Sequence, residues 1–125
     1  MPTYFTKEHE WIRVEGDAAT VGISDHAQEQ LGDIVFAEVP DAGRRVGKGQ
    51  EAAVVESVKA ASDVYSPVSG KILKVNAALA DKPETINEDA YGEGWIFVVE
   101  PTDSSELDEL LSPNAYAEMI ENESH

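Results

Sequence analysis

The chain has 125 residues, 42% hydrophobic and 27% charged, with 25 Asp and Glu against 9 Lys and Arg and a formal net charge of -16. A length of this order predicts one domain with a core of its own, and the balance argues against wholesale disorder. The acidity excludes nucleic acid and anionic membrane as main partners, because both require basic patches. The absence of cysteine excludes disulfides, thiolate metal sites and cysteine nucleophiles.

From the N-terminus, Met1 to Glu8 shows no basic-then-apolar leader pattern. No apolar run approaches the roughly 18 residues of a membrane span. The chain therefore reads as soluble and cytoplasmic. Two readings of the acidity stand, a salt-rich cytoplasm as in halophiles or an acidic mesophilic protein. Charge self-repulsion is a strain that salt screens in either case.

Trp11 to Val14, the turn Glu15-Gly16-Asp17 and Ala19 to Ile23 predict a hairpin. A short helix follows from Ser24, with Asp25 and Gln28 spaced as a capping box and Gly32 as its stop. Ile34 to Val39 reads as a strand closed by Pro40, and Gly47-Lys48-Gly49 as a turn. Ala52 to Val58 and Ala60 to Tyr65 read as two strands broken near Lys59. Lys71 to Val75 alternates as a half-exposed strand, and Ile96 to Glu100 is a last strand stopped by Pro101. Ser105 to Asp108 again resembles a capping box. Ser112-Pro113 resembles an N-cap with proline at the first helical position. Leu107, Leu110 and Leu111, then Ala115, Tyr116, Met119 and Ile120, form apolar stripes that predict a helical lid over roughly residues 104–122. Many short strands with Gly and Pro turns, followed by helices, predict a mainly β fold with a C-terminal helical segment.

Several apparent motifs fail on chemistry. Gly43 to Lys48 is one residue short of a phosphate loop, and Gly49 stands where the magnesium-binding hydroxyl belongs. Asn87 to Gly92 begins like a calcium loop, but Tyr91 replaces an oxygen ligand and Val98 stands in the closing position. Asn122-Glu123-Ser124 fits a glycosylation acceptor without any sign of secretion. His9, His26 and His125 lack close ligand spacing, so no metal site is expected and His9 and His26 read as surface or capping residues. No nucleophile–base pair stands out, so no enzyme is expected.

The segment Glu56-Ser57-Val58-Lys59-Ala60-Ala61-Ser62-Asp63-Val64-Tyr65-Ser66-Pro67-Val68-Ser69-Gly70 places a lone lysine at or near a hairpin tip. From spacing alone, Lys59 reads as a turn lysine whose charge is solvated. The stretch nevertheless resembles the lipoyl-attachment motif of glycine cleavage system H proteins. Further blocks of that family's pattern occur in order along the chain. They are Glu8-His9-Glu10-Trp11, Val21 to Gln28, Leu31-Gly32-Asp33, Val75-Asn76 and Tyr91-Gly92-Glu93-Gly94-Trp95. A biotin carrier fits less well, since its lysine stands between methionines and here Val58 and Ala60 flank Lys59.

The resemblance implies a barrel-sandwich hybrid, a single lipoyl-carrier domain over 1–125 with lipoate amide-linked to Lys59. It implies a monomeric carrier rather than an enzyme. Its partners would be a pyridoxal-phosphate-dependent glycine decarboxylase, an aminomethyltransferase, a dihydrolipoamide dehydrogenase and lipoylating enzymes. A stand-alone lipoyl relay, donating its group to other enzymes, is the second reading. Within the motif, Glu56 and Asp63 are candidates for recognition by the lipoylating enzyme or the partners, with Val58 and Ala60 leaving the approach open. Gly70 is expected to permit a backbone angle in a turn, and Gly92 and Gly94 to form a turn seating Trp95 in the core. Glu10 and His26 are candidates to line a cleft sheltering the loaded arm.

Overall fold

The structure, a computed structural model, describes residues 3–123. The predicted first hairpin forms as β2 (Glu10–Glu15) and β3 (Ala18–Ile23), paired antiparallel with Glu15 opposite Ala18. Alternation along these strands buries Ile12, Ala19 and Val21 in the core. Strand β1 (Thr3–Phe5) adds to the outer edge of β2. The far side of β3 pairs with β9 (Phe97–Pro101), which pairs with β8 (Gly70–Val75), and β8 with the two-residue β5 (Arg45–Val46). The result is a six-stranded sheet in the order β1-β2-β3-β9-β8-β5.

A second sheet has three strands, with β6 (Glu51–Ser57) between β4 (Ile34–Glu38) and β7 (Ala61–Tyr65). Both sheets are antiparallel, and they do not close into one barrel. Their inner faces meet in one apolar cluster that includes Ile12, Val21, Val55, Val64, Ile72 and Phe97. A smaller cluster of Phe5, Trp11 and Tyr116 lies beside it.

Helix α1 (Asp25–Leu31) is capped one residue earlier than the capping-box reading placed it. Ser24 Oγ accepts from Ala27 N at 3.1 Å, and Asp25 is the first helical residue. Gly32 stops the helix as expected. Two four-residue helices that sequence reading missed, α2 (Ala78–Asp81) and α3 (Thr85–Glu88), bury Leu79 and Ile86. The segment after β9 is a 3₁₀ helix over Ser104–Glu109 capped by Asp103, rather than an α-helix capped by Ser105. Helix α4 (Pro113–Glu123) starts as predicted, with Ser112 Oγ accepting from Ala115 N. Its stripe buries Tyr116 on Phe5 and Trp11, with Met119 and Ile120 beside them.

Two further expectations change. Gly70 lies inside β8, where a Cβ would collide with the Glu100 carbonyl oxygen. Glycine is needed there for close strand approach rather than for a turn angle. The Gly92–Gly94 turn forms, but the Trp95 side chain is half-buried against the smaller cluster instead of in the main core. No helix among the described residues is long and apolar enough to cross a membrane.

Candidate functional site

The β6–β7 hairpin turns through Ser57-Val58-Lys59-Ala60, and Ser57 organises the tip. Its backbone N–H donates to Ala60 O at 2.8 Å. Its hydroxyl accepts from Lys59 N and Ala60 N, both at 3.1 Å, and donates to Ala60 O at 3.2 Å. A serine hydroxyl offers one donor and two acceptor positions, so this one is fully used in shaping a four-residue turn. Ser57 carried no role in the sequence reading, although a serine opening a turn is a local signal that would have found it.

The tip is anchored as well as shaped. Val58 N donates to Asp33 O at 3.1 Å, tying it to the turn between α1 and β4. That turn is braced by Asn87, whose Oδ1 accepts from Ile34 N at 2.8 Å. Asn87 Nδ2 donates to Gly32 O and Gln28 Oε1, both at 2.9 Å. Nothing local in sequence marks Asn87, because its partners lie more than fifty residues away. The Lys59 side chain passes over Gly32.

Val58, Lys59 and Ala60 are exposed, Val58 at 68%. Glu56 and Asp63 are exposed too. Glu56 faces Ala61 and Asp63 faces Val54 across the ladder, so strand alternation puts both carboxylates diagonally on the solvent face. The structure thus gathers all five motif residues on one protruding hairpin. On the neighbouring strand, Val35 and Phe36 are also exposed, at 55% and 46%.

At the other end of β7, a cleft of about 450 Å³ is lined by Thr6, Glu8, Glu10, Lys48, Tyr65 and Leu110 among others. Glu10 is only 3% exposed. Its carboxylate accepts from Thr6 Oγ1 at 2.7 Å and from Tyr65 N at 3.3 Å. Burial outweighs these bonds and pushes the carboxyl from 4.5 up to about 7. His26 does not line this cleft. It stands instead against His9, the two rings 4.9 Å apart.

Two antiparallel sheets carrying one lysine on a tight, exposed hairpin tip define a lipoyl-domain-like carrier fold. The family described as glycine cleavage H-protein matches residues 3–123. The chain belongs to that family, whose members are the lipoyl carriers of the glycine cleavage system, not catalysts, and bear lipoate on a lysine. It is 66% identical over 122 residues to the glycine cleavage system H protein of Stenotrophomonas maltophilia (strain K279a), covering 97% of this chain and 93% of that one. The H protein of Xanthomonas campestris pv. campestris (strain B100) matches at the same identity and coverage. Among solved structures, the crystal structure of a glycine cleavage system H protein from Mycobacterium marinum superposes with a TM-score of 0.87 at 41% identity. The match covers 95% of this chain and 96% of that one.

Proposed function

We propose that Lys59 is the residue that carries the lipoyl group, and that residues 1–125 act as one monomeric carrier unit in glycine cleavage. The observation that carries this reading is the built tip, where Ser57 fixes the turn and Asp33 anchors it while Lys59 remains exposed. The site suits the group, because Lys59 is exposed with its stem lying over Gly32, and neither Val58 nor Ala60 obstructs it. When bound, the group supplies a dithiol–disulfide pair that this cysteine-free chain does not contain.

The protein's own contribution is presentation. A hairpin tip lets one arm enter several active sites in turn, and tethering replaces tight binding by a high local concentration. The partners in this reading are the pyridoxal-phosphate-dependent decarboxylase, which loads an aminomethyl group, and the aminomethyltransferase, which passes the one-carbon unit to tetrahydrofolate. A dihydrolipoamide dehydrogenase reoxidises the arm, and lipoylating enzymes read Glu56, Val58, Ala60 and Asp63. The setting is cytoplasmic. Strand β7 runs from beside Lys59 to Tyr65, about 13 Å at the usual rise per residue. A loaded arm laid along it reaches the cleft where Tyr65 N contacts Glu10, so Glu10 is the group that receives the amine. Family membership favours this carrier role over the stand-alone relay.

Lys59→Arg tests the assignment. Arginine keeps the charge but cannot form the amide. After incubation with lipoate-loading enzymes, intact mass should show the lipoyl increment on the wild type and none on the variant, with equal circular dichroism. An adduct on the variant would show that one of the other five lysines carries the group.

A further inference from the structure

The three residues His9, His26 and Glu123 come from the β1–β2 turn, the first turn of α1 and the last turn of α4. Seventeen residues separate the two histidines and nearly a hundred separate His26 from Glu123, so their sequence spacing carries no ligand signal. The fold brings one ligand atom of each within 4.8 Å of the others. His9 Nε2 stands 3.6 Å from Glu123 Oε2.

His9 is held from behind. Its Nδ1 lies 2.8 Å from the Tyr116 hydroxyl, and that hydroxyl lies 2.6 Å from Ser24 Oγ. In the arrangement where the Tyr116 hydroxyl donates to Ser24 Oγ, it accepts from His9 Nδ1–H, which leaves the Nε2 lone pair facing Glu123. Metal-ligating histidines are oriented this way, by a bond from the ring nitrogen that does not bind the metal. The His9 backbone adopts φ 69°, an uncommon left-handed conformation for a side-chain-bearing residue. Its N–H and carbonyl are nevertheless both used, by Thr6 O and Ser24 N. The ring is therefore held by its backbone and by its far nitrogen.

We propose that His9, His26 and Glu123 form a binding site for a first-row divalent cation, with zinc the best fit to two imidazoles and one carboxylate. A tetrahedral zinc ion with bonds of about 2.0–2.1 Å spaces its ligand atoms about 3.3 Å apart. The His9–Glu123 pair is already near that distance. His26 and Glu123 sit on helix surfaces, half-buried and exposed, where side-chain rotation closes the remainder. The fourth position stays open to water. Occupation would fasten the end of α4 to the β1–β2 turn and to α1, adding a clamp to the Phe5–Tyr116 stacking that otherwise holds this helix.

The test is titration of zinc chloride alone into the full-length, untagged protein, purified without reductant. A His125→Ala background keeps the third histidine, which lies outside the described residues, from competing. Calorimetry should show one saturable site, histidine ring resonances of both His9 and His26 should shift together, and the melting temperature should rise with zinc. His26→Ala and Glu123→Gln should each weaken binding by about tenfold or more, while Glu84→Gln, at an exposed carboxylate outside this three-residue cluster, should leave it unchanged. Cobalt in place of zinc should give tetrahedral ligand-field bands that both variants lose. Binding equally strong in His26→Ala and Glu123→Gln would assign the metal to the general acidic surface and overturn the proposal. So would the lack of a saturable site below millimolar zinc.

Discussion

Lys59 crosses directly over Gly32. A methyl group placed on Gly32 would stand 3.2 Å from Lys59 Cε and 3.6 Å from its Nζ. The two residues belong to different elements, one the hairpin tip and the other the stop of α1. The Val58–Asp33 hydrogen bond ties those elements together, and Asn87 braces the Gly32 side. The helix stop is thus also the floor beneath the candidate carrier lysine.

Gly32→Ala should therefore act twice. Gly32 has φ 85° and ψ -158°, a region that is essentially glycine-only. Strain of this kind costs about 1–3 kcal/mol. The added methyl also presses on the Lys59 stem. Chemical denaturation should show the stability loss, and lipoylation kinetics should show slower modification. An unchanged rate beside lowered stability would mean that the lysine moves aside at no cost to the lipoylating enzyme.

Glu10 sets a pH dependence. Its carboxyl titrates at about 7 in the folded protein and near 4.5 when exposed, mainly because burial disfavours the charge. Between those values the folded state holds a proton that the unfolded state has released. Its contribution is fully present below pH 4.5 and is lost as pH rises through 7. The shift corresponds to up to about 3 kcal/mol. Glu10→Gln should remove this slope, so that the stability difference, variant minus wild type, rises from pH 5 to 7.5. Urea unfolding at several pH values measures it, and parallel curves would show that Glu10 does not titrate in this range.

In the proposed carrier, the exposed diagonal carboxylates of the hairpin steer docking. Glu56→Gln with Asp63→Asn should change folding stability by less than about 0.5 kcal/mol, as surface substitutions usually do. Reduction of the arm by the decarboxylase, followed against limiting carrier concentration at low salt, should slow severalfold. Equal rate constants would leave these two side chains to the lipoylating enzyme alone.

The net charge of -16 should make the fold gain stability as salt rises from low to molar concentration. Among the described residues, Lys48 and Glu109 form an ion pair at 3.0 Å on a half-exposed surface, where salt costs little by screening it. Thermal melts across a sodium chloride series measure the net effect. A falling midpoint would show that favourable pairing, not repulsion, dominates the surface.

Most of the secondary structure was legible because its causes are local. Alternation and Glu15-Gly16-Asp17 suffice for the first hairpin, and Ser112-Pro113 for the start of α4. The candidate lysine was legible only through a resemblance, since a lysine in a turn is chemically ordinary. The short elements were not legible. Strand β1 depends on its register with β2 and a bridge from Phe5 to Leu111. Helices α2 and α3 have no capping side chain, and each exists because one residue, Leu79 or Ile86, is buried in the core.

The sequence by itself determined the longer strands, the two hairpins, the exposed position of Lys59 and the excess of negative charge. These follow from side-chain alternation, turn chemistry and composition, all of which act within a few residues. Tertiary structure decided the order of the strands and the floor that Gly32, braced by Asn87, makes under Lys59. It also decided the burial that lifts Glu10 and the meeting of His9 with His26 and Glu123. Each of these depends on distances and solvent exclusion between groups far apart along the chain, and only the closing of both sheets on one core sets them.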